Sequence, residues 1–317
     1  MSNLAKAKTF SKISPKRIIG SIDGDSNGPT VVVLAGMHGN EPAGVEAAAS
    51  IFDMLEGVDP PINGRLKAIQ ANIPALEENV RYIDEDMNRL WFPSIIDRIR
   101  RTPEHKIDSS ERLEIKRLLP ILSDIKNKSD QPIFLVDLHT FSADGYMFTI
   151  TSTDPRQREL LSNLHVPMVF GIGKSLRGTA LRYYQKQGFI SFGLEGGQHQ
   201  DELTPYNITS ALILLLKTLD CIEQQYVSEI KQYERDLKSQ TSHLPVETEL
   251  VYQHMIEPGD DFRMRPGYQN FQPVKKGEWL ANDRDGKIVA RCDGYILMPL
   301  YQSQGDDGFF IIQEHES

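Results

Sequence analysis

The chain has 317 residues, of which 39% are hydrophobic and 25% charged, so it is not predominantly disordered and has enough apolar material for a sizeable core. At about 150 residues per domain, that length suits two domains, or one large domain with an appendage. Its 35 Lys and Arg against 44 Asp and Glu leave a net charge of −9. An acidic surface argues against a nucleic-acid partner, which needs basic groups to displace counterions from phosphates.

In chain order, the opening Met1-Ser2-Asn3-Leu4-Ala5-Lys6-Ala7-Lys8 has no apolar leader, and no later apolar run is long enough to span a membrane. The expectation is a cytoplasmic protein with no membrane partner; a homo-oligomer is compatible with the composition, which does not fix the oligomeric state. Residues 30–35 form a β-branched run that predicts a strand buried on both faces. Gly36 ends it and Glu41-Pro42 opens a helix, with Ala47, Ala48, Ile51, Phe52 and Leu55 at helical spacing. Residues 65–71 predict a second strand, ending at Asn72-Ile73-Pro74. An amphipathic helix is expected over 109–122, capped by Ser109 or Ser110.

Strands follow over 132–138, 146–151 and 189–194, the last ending at Glu195-Gly196-Gly197, and then a helix running throughout 207–238. Alternating strands and helices indicate an α/β sheet with helices on its faces. Beyond about Leu244, turn signals such as Glu257-Pro258-Gly259, Asp285-Gly286 and Asp293-Gly294 recur at short intervals, which predicts a small all-β unit. The expected division is therefore 1–243 and 244–317, with residues 313–317 frayed. Cys221 and Cys292 are too few and too far apart for a disulfide scaffold or a cysteine zinc site.

The chemistry concentrates after the first strong strand, in Gly36-Met37-His38-Gly39-Asn40-Glu41. His38 and Glu41 follow the carboxyl end of a strand, where open α/β sheets place their crevice. A tight turn would aim an imidazole nitrogen and a carboxylate at one ion. A catalytic zinc usually takes three protein ligands and keeps one open position. A third candidate ends another buried strand, in Asp137-Leu138-His139, where Asp137 and His139 share a strand face.

These residues resemble the succinylglutamate desuccinylase/aspartoacylase family, relatives of the zinc carboxypeptidases. Gly36-Met37-His38-Gly39-Asn40-Glu41 resembles its first zinc motif. Arg81-Tyr82-Ile83-Asp84-Glu85-Asp86-Met87-Asn88-Arg89 resembles the second, with Met87 where Leu is commoner. Asp137-Leu138-His139 and Gly193-Leu194-Glu195-Gly196-Gly197 are similar to the third and fourth, and all stand in the family's order. The resemblance implies a three-layer α/β/α zinc-carboxypeptidase-like domain with a mixed, mainly parallel sheet, followed by a C-terminal β domain.

It also implies one Zn²⁺ per subunit, held by His38, Glu41 and His139. Glu195 would be the general base, Arg81 would polarise the scissile carbonyl, and Asn88 with Arg89 would grip the substrate's α-carboxylate. Asp86 matches the aspartate that orients a zinc-bound histidine through its second ring nitrogen; Asp137 competes for that role, and the sequence does not choose between them.

The implied activity is zinc-dependent hydrolysis of a small N-acyl amino acid, a carboxylate substrate. The alternatives are a metallocarboxypeptidase acting on peptides and a binding protein without turnover. The aspartoacylase residues for the substrate's side-chain carboxylate are not reproduced: the family spacing back from Glu195 falls on Gln185 and Leu181. Arg177, Arg182 and Tyr183 are the nearby candidates to replace them, and Tyr301 stands in the region of that enzyme's C-terminal tyrosine. His199, close after Glu195, is a further candidate for the cleft.

Overall fold

The structure, a computed structural model, describes residues 16–56, 62–223, 225, 227 and 230–315. The first half runs β1 (Ile18–Asp23), β2 (Asp25–Ala35), α1 (Ala43–Leu55), β3 (Asn63–Gln70), α2 (Ile73–Glu78), α3 (Pro93–Arg101) and α4 (Ser110–Lys128). Next come β4 (Ile133–Phe141), β5 (Phe148–Thr151), α5 (Pro155–Ser162), β6 (Met168–Phe170), α6 (Ile172–Ser175), α7 (Ala180–Gln185) and β7 (Ile190–Gln198). Helices α8 (Thr204–Thr218) and α9 (Ile230–Thr241) precede β8 (Glu247–Met255). The remainder is strand and turn: β9 (Arg263–Met264), β10 (Gln272–Val274), β11 (Trp279–Asp283), β12 (Gly286–Val289), β13 (Gly294–Leu297) and β14 (Asp307–Glu314).

The three layers can be read from strand alternation. Val31, Val33 and Ala35 of β2 belong to one apolar cluster, shared with α1 and α8, whereas Val32 and Leu34 belong to a second, shared with α3 and α4. Strand β4 alternates likewise, with Phe134, Val136 and Leu138 on the first side and Ile133 and Leu135 on the second. A strand apolar on both faces needs a helical layer on each, and both layers are present.

The main sheet has the order β1-β3-β2-β4-β7-β5-β6-β8-β14-β13-β10. Its middle is mainly parallel: β2 pairs parallel with β3 and β4, β4 with β7, and β5 with β6, while β5 meets β7 antiparallel. Strand β8 joins parallel to β6, and β14, β13 and β10 then add antiparallel. The sheet therefore runs unbroken past Leu244, and a second sheet, β12-β11-β9, packs beside it. A cluster including Phe141, Phe148 and Ile150 from the first part and Phe271, Leu297 and Phe310 from the second joins the two parts.

Two expected features differ. The helix expected throughout 207–238 is two helices, because Leu219 leaves helical backbone and Asp220 takes a positive φ of 54°. No glycine or proline marks that turn, so a continuous helical pattern concealed it. Of the residues expected to fray, Gln313 and Glu314 instead pair with Glu249 and Thr248 in β14, while 316–317 lie outside the described residues, as does the opening Met1–Lys8. Ser109 caps α4, its hydroxyl accepting from the Arg112 N–H. None of the described helices is long and apolar enough to cross a membrane.

Candidate metal centre and active site

Adjacent strands β2, β4 and β7 bring the expected residues to one end of the sheet. Gly36 closes β2 with a φ of +66°, and at Gly39 a Cβ would lie 2.0 Å from the Ala75 backbone, so the loop bearing His38 sits directly against α2. The Glu41 N–H donates to the His38 carbonyl at 3.3 Å, folding both side chains into one turn. Glu41 Oε1 is 2.8 Å from His38 Nδ1, and its Oε2 is 3.1 Å from His139 Nδ1 and accepts from the Thr140 N–H at 3.0 Å.

All three side chains are buried, and each offers one ligand atom within 4.8 Å of the others. Two imidazoles and a carboxylate are a borderline-soft donor set suited to zinc. Each histidine turns its other nitrogen to a different aspartate: His38 Nε2 is 3.2 Å from Asp86 Oδ1, and His139 Nε2 is 3.1 Å from Asp137 Oδ2. The choice that the sequence left open is thus not a choice, since each carboxylate lies beside its own ring. Buried Asp137 has no hydrogen bond of good geometry on either oxygen among the described residues, so the His139 ring 3.1 Å away is the group that answers its charge.

The charges are tightly coupled. Burial opposes ionisation of Glu41, but His38 and His139 beside it hold the carboxyl well below its ordinary value. Burial likewise opposes charge on His139, which Asp137 and Glu41 nevertheless raise well above the usual histidine range. Asp86, also buried, is held low by His38 and Arg81.

Arg81 reaches Asp86 Oδ2 at 3.0 Å and lies 3.6 Å from Glu41 Oε1. Asp86 also accepts from the Asn88 N–H at 2.8 Å, fixing the turn that carries the second motif. Asn88 is buried; its Oδ1 accepts from the Ala180 N–H at 3.0 Å, and its Nδ2 is 3.3 Å from His139 Nε2. The Arg89 guanidinium donates to Asp307 Oδ2 at 2.6 Å.

Glu195 sits opposite His139 in the β4–β7 register. Burial is the main cause that pushes its carboxyl up to about 8; His139 works against that rise, and Glu41 and Asp137 add to it. Its Oε2 is buried with no partner among the described residues. His38, Glu41, His139, Arg81, Asn88, Arg89 and Glu195 all line one cavity of about 110 Å³. A carboxyl poised near neutrality beside an arginine and a His-Glu-His group that could hold a metal is equipped to move a proton at an electrophilic centre.

Other candidates lie elsewhere. Arg177 is exposed, Arg182 donates to the Lys174 carbonyl, and Tyr183 is buried against Trp91 and accepts from Arg100. The Tyr301 hydroxyl is spent on the Arg265 carbonyl and the Tyr268 N–H. His199 stands behind the cavity, 2.6 Å from Thr140 Oγ1 and 3.1 Å from Gln302 Oε1. Sequence reasoning missed Gln302, Asp306 and Asp307, which reach the cavity from the β-rich part. No local spacing ties them to the motifs, and Asp307 is 218 residues from its partner Arg89.

The model of the succinylglutamate desuccinylase/aspartoacylase catalytic domain matches residues 27–222. A succinylglutamate desuccinylase of Serratia proteamaculans is 31% identical over 285 residues, covering 85% of this chain and 79% of that protein. One from Burkholderia lata is 36% identical over 67 residues, so that match spans about a fifth of the relative's length (19%) and 21% of this chain. Among solved structures, a succinylglutamate desuccinylase/aspartoacylase from Rhodobacter sphaeroides superposes with a TM-score of 0.65 at 18% identity, over 93% of this chain and 88% of that one. Murine aminoacylase 3 does so with a TM-score of 0.60 at 17% identity, over 90% and 94%. The shared fold, the ordered motifs and the domain match together establish that the chain belongs to the succinylglutamate desuccinylase/aspartoacylase family.

Proposed function

We propose that the protein is a zinc-dependent deacylase that hydrolyses the amide bond of a small N-acyl amino acid, with one Zn²⁺ per subunit held by His38, Glu41 and His139. The observation that carries this reading is Glu195: a buried carboxyl raised to about 8, with an unpartnered oxygen, sharing a cavity with the His-Glu-His group and Arg81. Zinc bound there supplies Lewis acidity to the amide carbonyl and lowers the pKa of water. Glu195 accepts the proton of the attacking water and delivers it to the leaving nitrogen. Arg81 donates to the carbonyl oxygen as its negative charge develops. Arg89 receives the α-carboxylate with Asn88 beside it, while Asp86 and Asp137 orient the two histidines through their second nitrogens.

We assign residues up to 243 to the catalytic part and those from 244 to a wall that closes the site. Met298, Leu300, Gln302, Asp306, Asp307 and Phe310 all line the cavity from that second part. The cavity volume of about 110 Å³ favours a small molecule over a peptide. The test is a hydrolysis screen of the zinc-loaded protein over N-acetyl, N-succinyl and longer N-acyl amino acids, with peptides included. Release of the free amino acid from an N-acyl amino acid is expected; a rate that rises with peptide length, or no release from any compound, rejects the reading. Arg81→Lys keeps the charge but loses the fork shared with Asp86, and should lower kcat by about 100-fold with KM little changed. Steady-state kinetics on any accepted substrate checks this.

A further inference from the structure

We propose that the cavity takes an N-acyl amino acid bearing one carboxylate and one apolar group, and discriminates against dicarboxylates. The inference deepens the deacylase reading and rests on it for the identity of the site. It begins from the balance of charge in the wall. Among the described residues, the arginines lining the cavity are Arg81 and Arg89, set against Glu41, Glu195, Asp306 and Asp307. Arg81 is tied to Asp86 and Glu41, and Arg89 to Asp307. One substrate carboxylate can take Arg89. Apart from the metal itself, a second would meet no free cation in the wall among the described residues, only neutral polar groups such as Ser142, Thr179 and Gln302, which compensate a carboxylate's lost hydration less well.

An apolar stretch of the wall lies beside Glu195. Gly193, two residues before Glu195 on the same face of β7, is closely approached by apolar side chains. A Cβ built there would be 3.3 Å from Leu181 Cδ1 and 3.4 Å from Ile150 Cβ. Leu176, Met298 and Phe310 line the same cavity. Gly173 also lines it, has no positive φ, and would place a Cβ 3.8 Å from Ile150 Cγ2, with no other neighbouring atom within 4 Å. That is open space along an apolar wall, sized for part of a hydrocarbon group. It fits either the side chain of an apolar amino acid or an extended acyl chain.

The experiment measures equilibrium binding to zinc-loaded Glu195→Gln protein, in which turnover is slow, alongside turnover by the zinc-loaded wild type. The ligands are N-acetyl-L-leucine, N-hexanoylglycine, N-acetylglycine, N-acetyl-L-aspartate and N-succinyl-L-glutamate. N-acetyl-L-leucine or N-hexanoylglycine should bind at least about tenfold tighter than N-acetyl-L-aspartate, with two carboxylates, or N-succinyl-L-glutamate, with three, in keeping with the discrimination an apolar pocket supplies. Whichever of the two binds tighter identifies which half of the substrate the apolar wall holds. Adding Gly173→Leu should weaken that ligand about tenfold relative to N-acetylglycine. Equal or tighter binding of N-acetyl-L-aspartate or N-succinyl-L-glutamate, or no binding of any ligand, overturns the inference, and this comparison stands even if the Gly173 variant fails to fold. Apolar preference in binding with no hydrolysis by wild type overturns the deacylase reading alone; hydrolysis favouring N-acetyl-L-aspartate or N-succinyl-L-glutamate overturns the pocket alone.

Discussion

Glu195→Gln is expected to lower kcat by about 10²- to 10⁴-fold, the usual contribution of a positioned general base, while zinc content stays at wild-type level. The substitution keeps the side chain's size and removes only its ability to take a proton. Near-normal turnover would show that another group does the proton transfer. The same carboxyl sets a pH dependence. Glu195 must be ionised to accept a proton, so the rate should rise with pH through its pKa. In the metal-free chain burial pushes that pKa up to about 8 from an ordinary 4.5, and a bound dication nearby draws it back down. The acid limb of kcat/KM should therefore fall between those two values and disappear in Glu195→Gln.

The raised pKa also has a thermodynamic side. Below pH 4.5 Glu195 is protonated in both the folded and unfolded chain and has no effect on stability. Between 4.5 and about 8 the folded metal-free protein keeps a proton that the unfolded chain has released, so stability falls as pH rises across that window. The cost is on the order of a few kcal/mol once the group is ionised in both states. Denaturant melts of the zinc-stripped proteins should show Glu195→Gln gaining on wild type from pH 5 to pH 9. Equal slopes of stability with pH for the two would reject this origin.

Much of the site was legible in the sequence because its residues end buried strands, and buried strands announce themselves as apolar runs. β2, β4 and β7 lie side by side, so His38, His139 and Glu195, far apart in the chain, had to converge once the strands paired. The second motif was legible for another reason: Asp86 caps its own turn, so Arg81, Asp86, Asn88 and Arg89 are positioned by local hydrogen bonds. What stayed illegible depends on contacts with no local signature. Arg89 reads as a free carboxylate receptor until β14 brings Asp307 to it, and Asp307 is itself held by the Gln253 amide at 2.6 Å. The continuation of the sheet through β8 was hidden because turn-rich sequence after Leu244 looks like a separate unit, whether or not its first strand pairs with β6. The apolar lining is likewise assembled from separate stretches of chain, among them those around Ile150, Leu176, Leu181, Met298 and Phe310, none of which carries a motif.

His38→Ala should abolish zinc retention under conditions in which the wild type keeps one ion per chain, and should reduce hydrolysis to background. Three protein ligands are the usual minimum for a catalytic zinc, and the variant leaves only Glu41 and His139. It also strips Asp86 of the imidazole that helps to hold its carboxyl low, leaving Arg81 as its main counter-charge. Elemental analysis of protein dialysed against trace zinc gives the stoichiometry directly, and thermal melts give an independent reading. A metal that binds only the folded state stabilises it by about 4 kcal/mol at a thousandfold excess over Kd, so zinc should raise the wild-type Tm and leave that of the variant unmoved. Asp86→Asn separates ligation from orientation: all three ligand atoms remain, so zinc should still bind, but about 10- to 100-fold more weakly. Retention of one zinc by His38→Ala would place the metal elsewhere, and with it the electrophilic centre that Glu195 and Arg81 are proposed to serve.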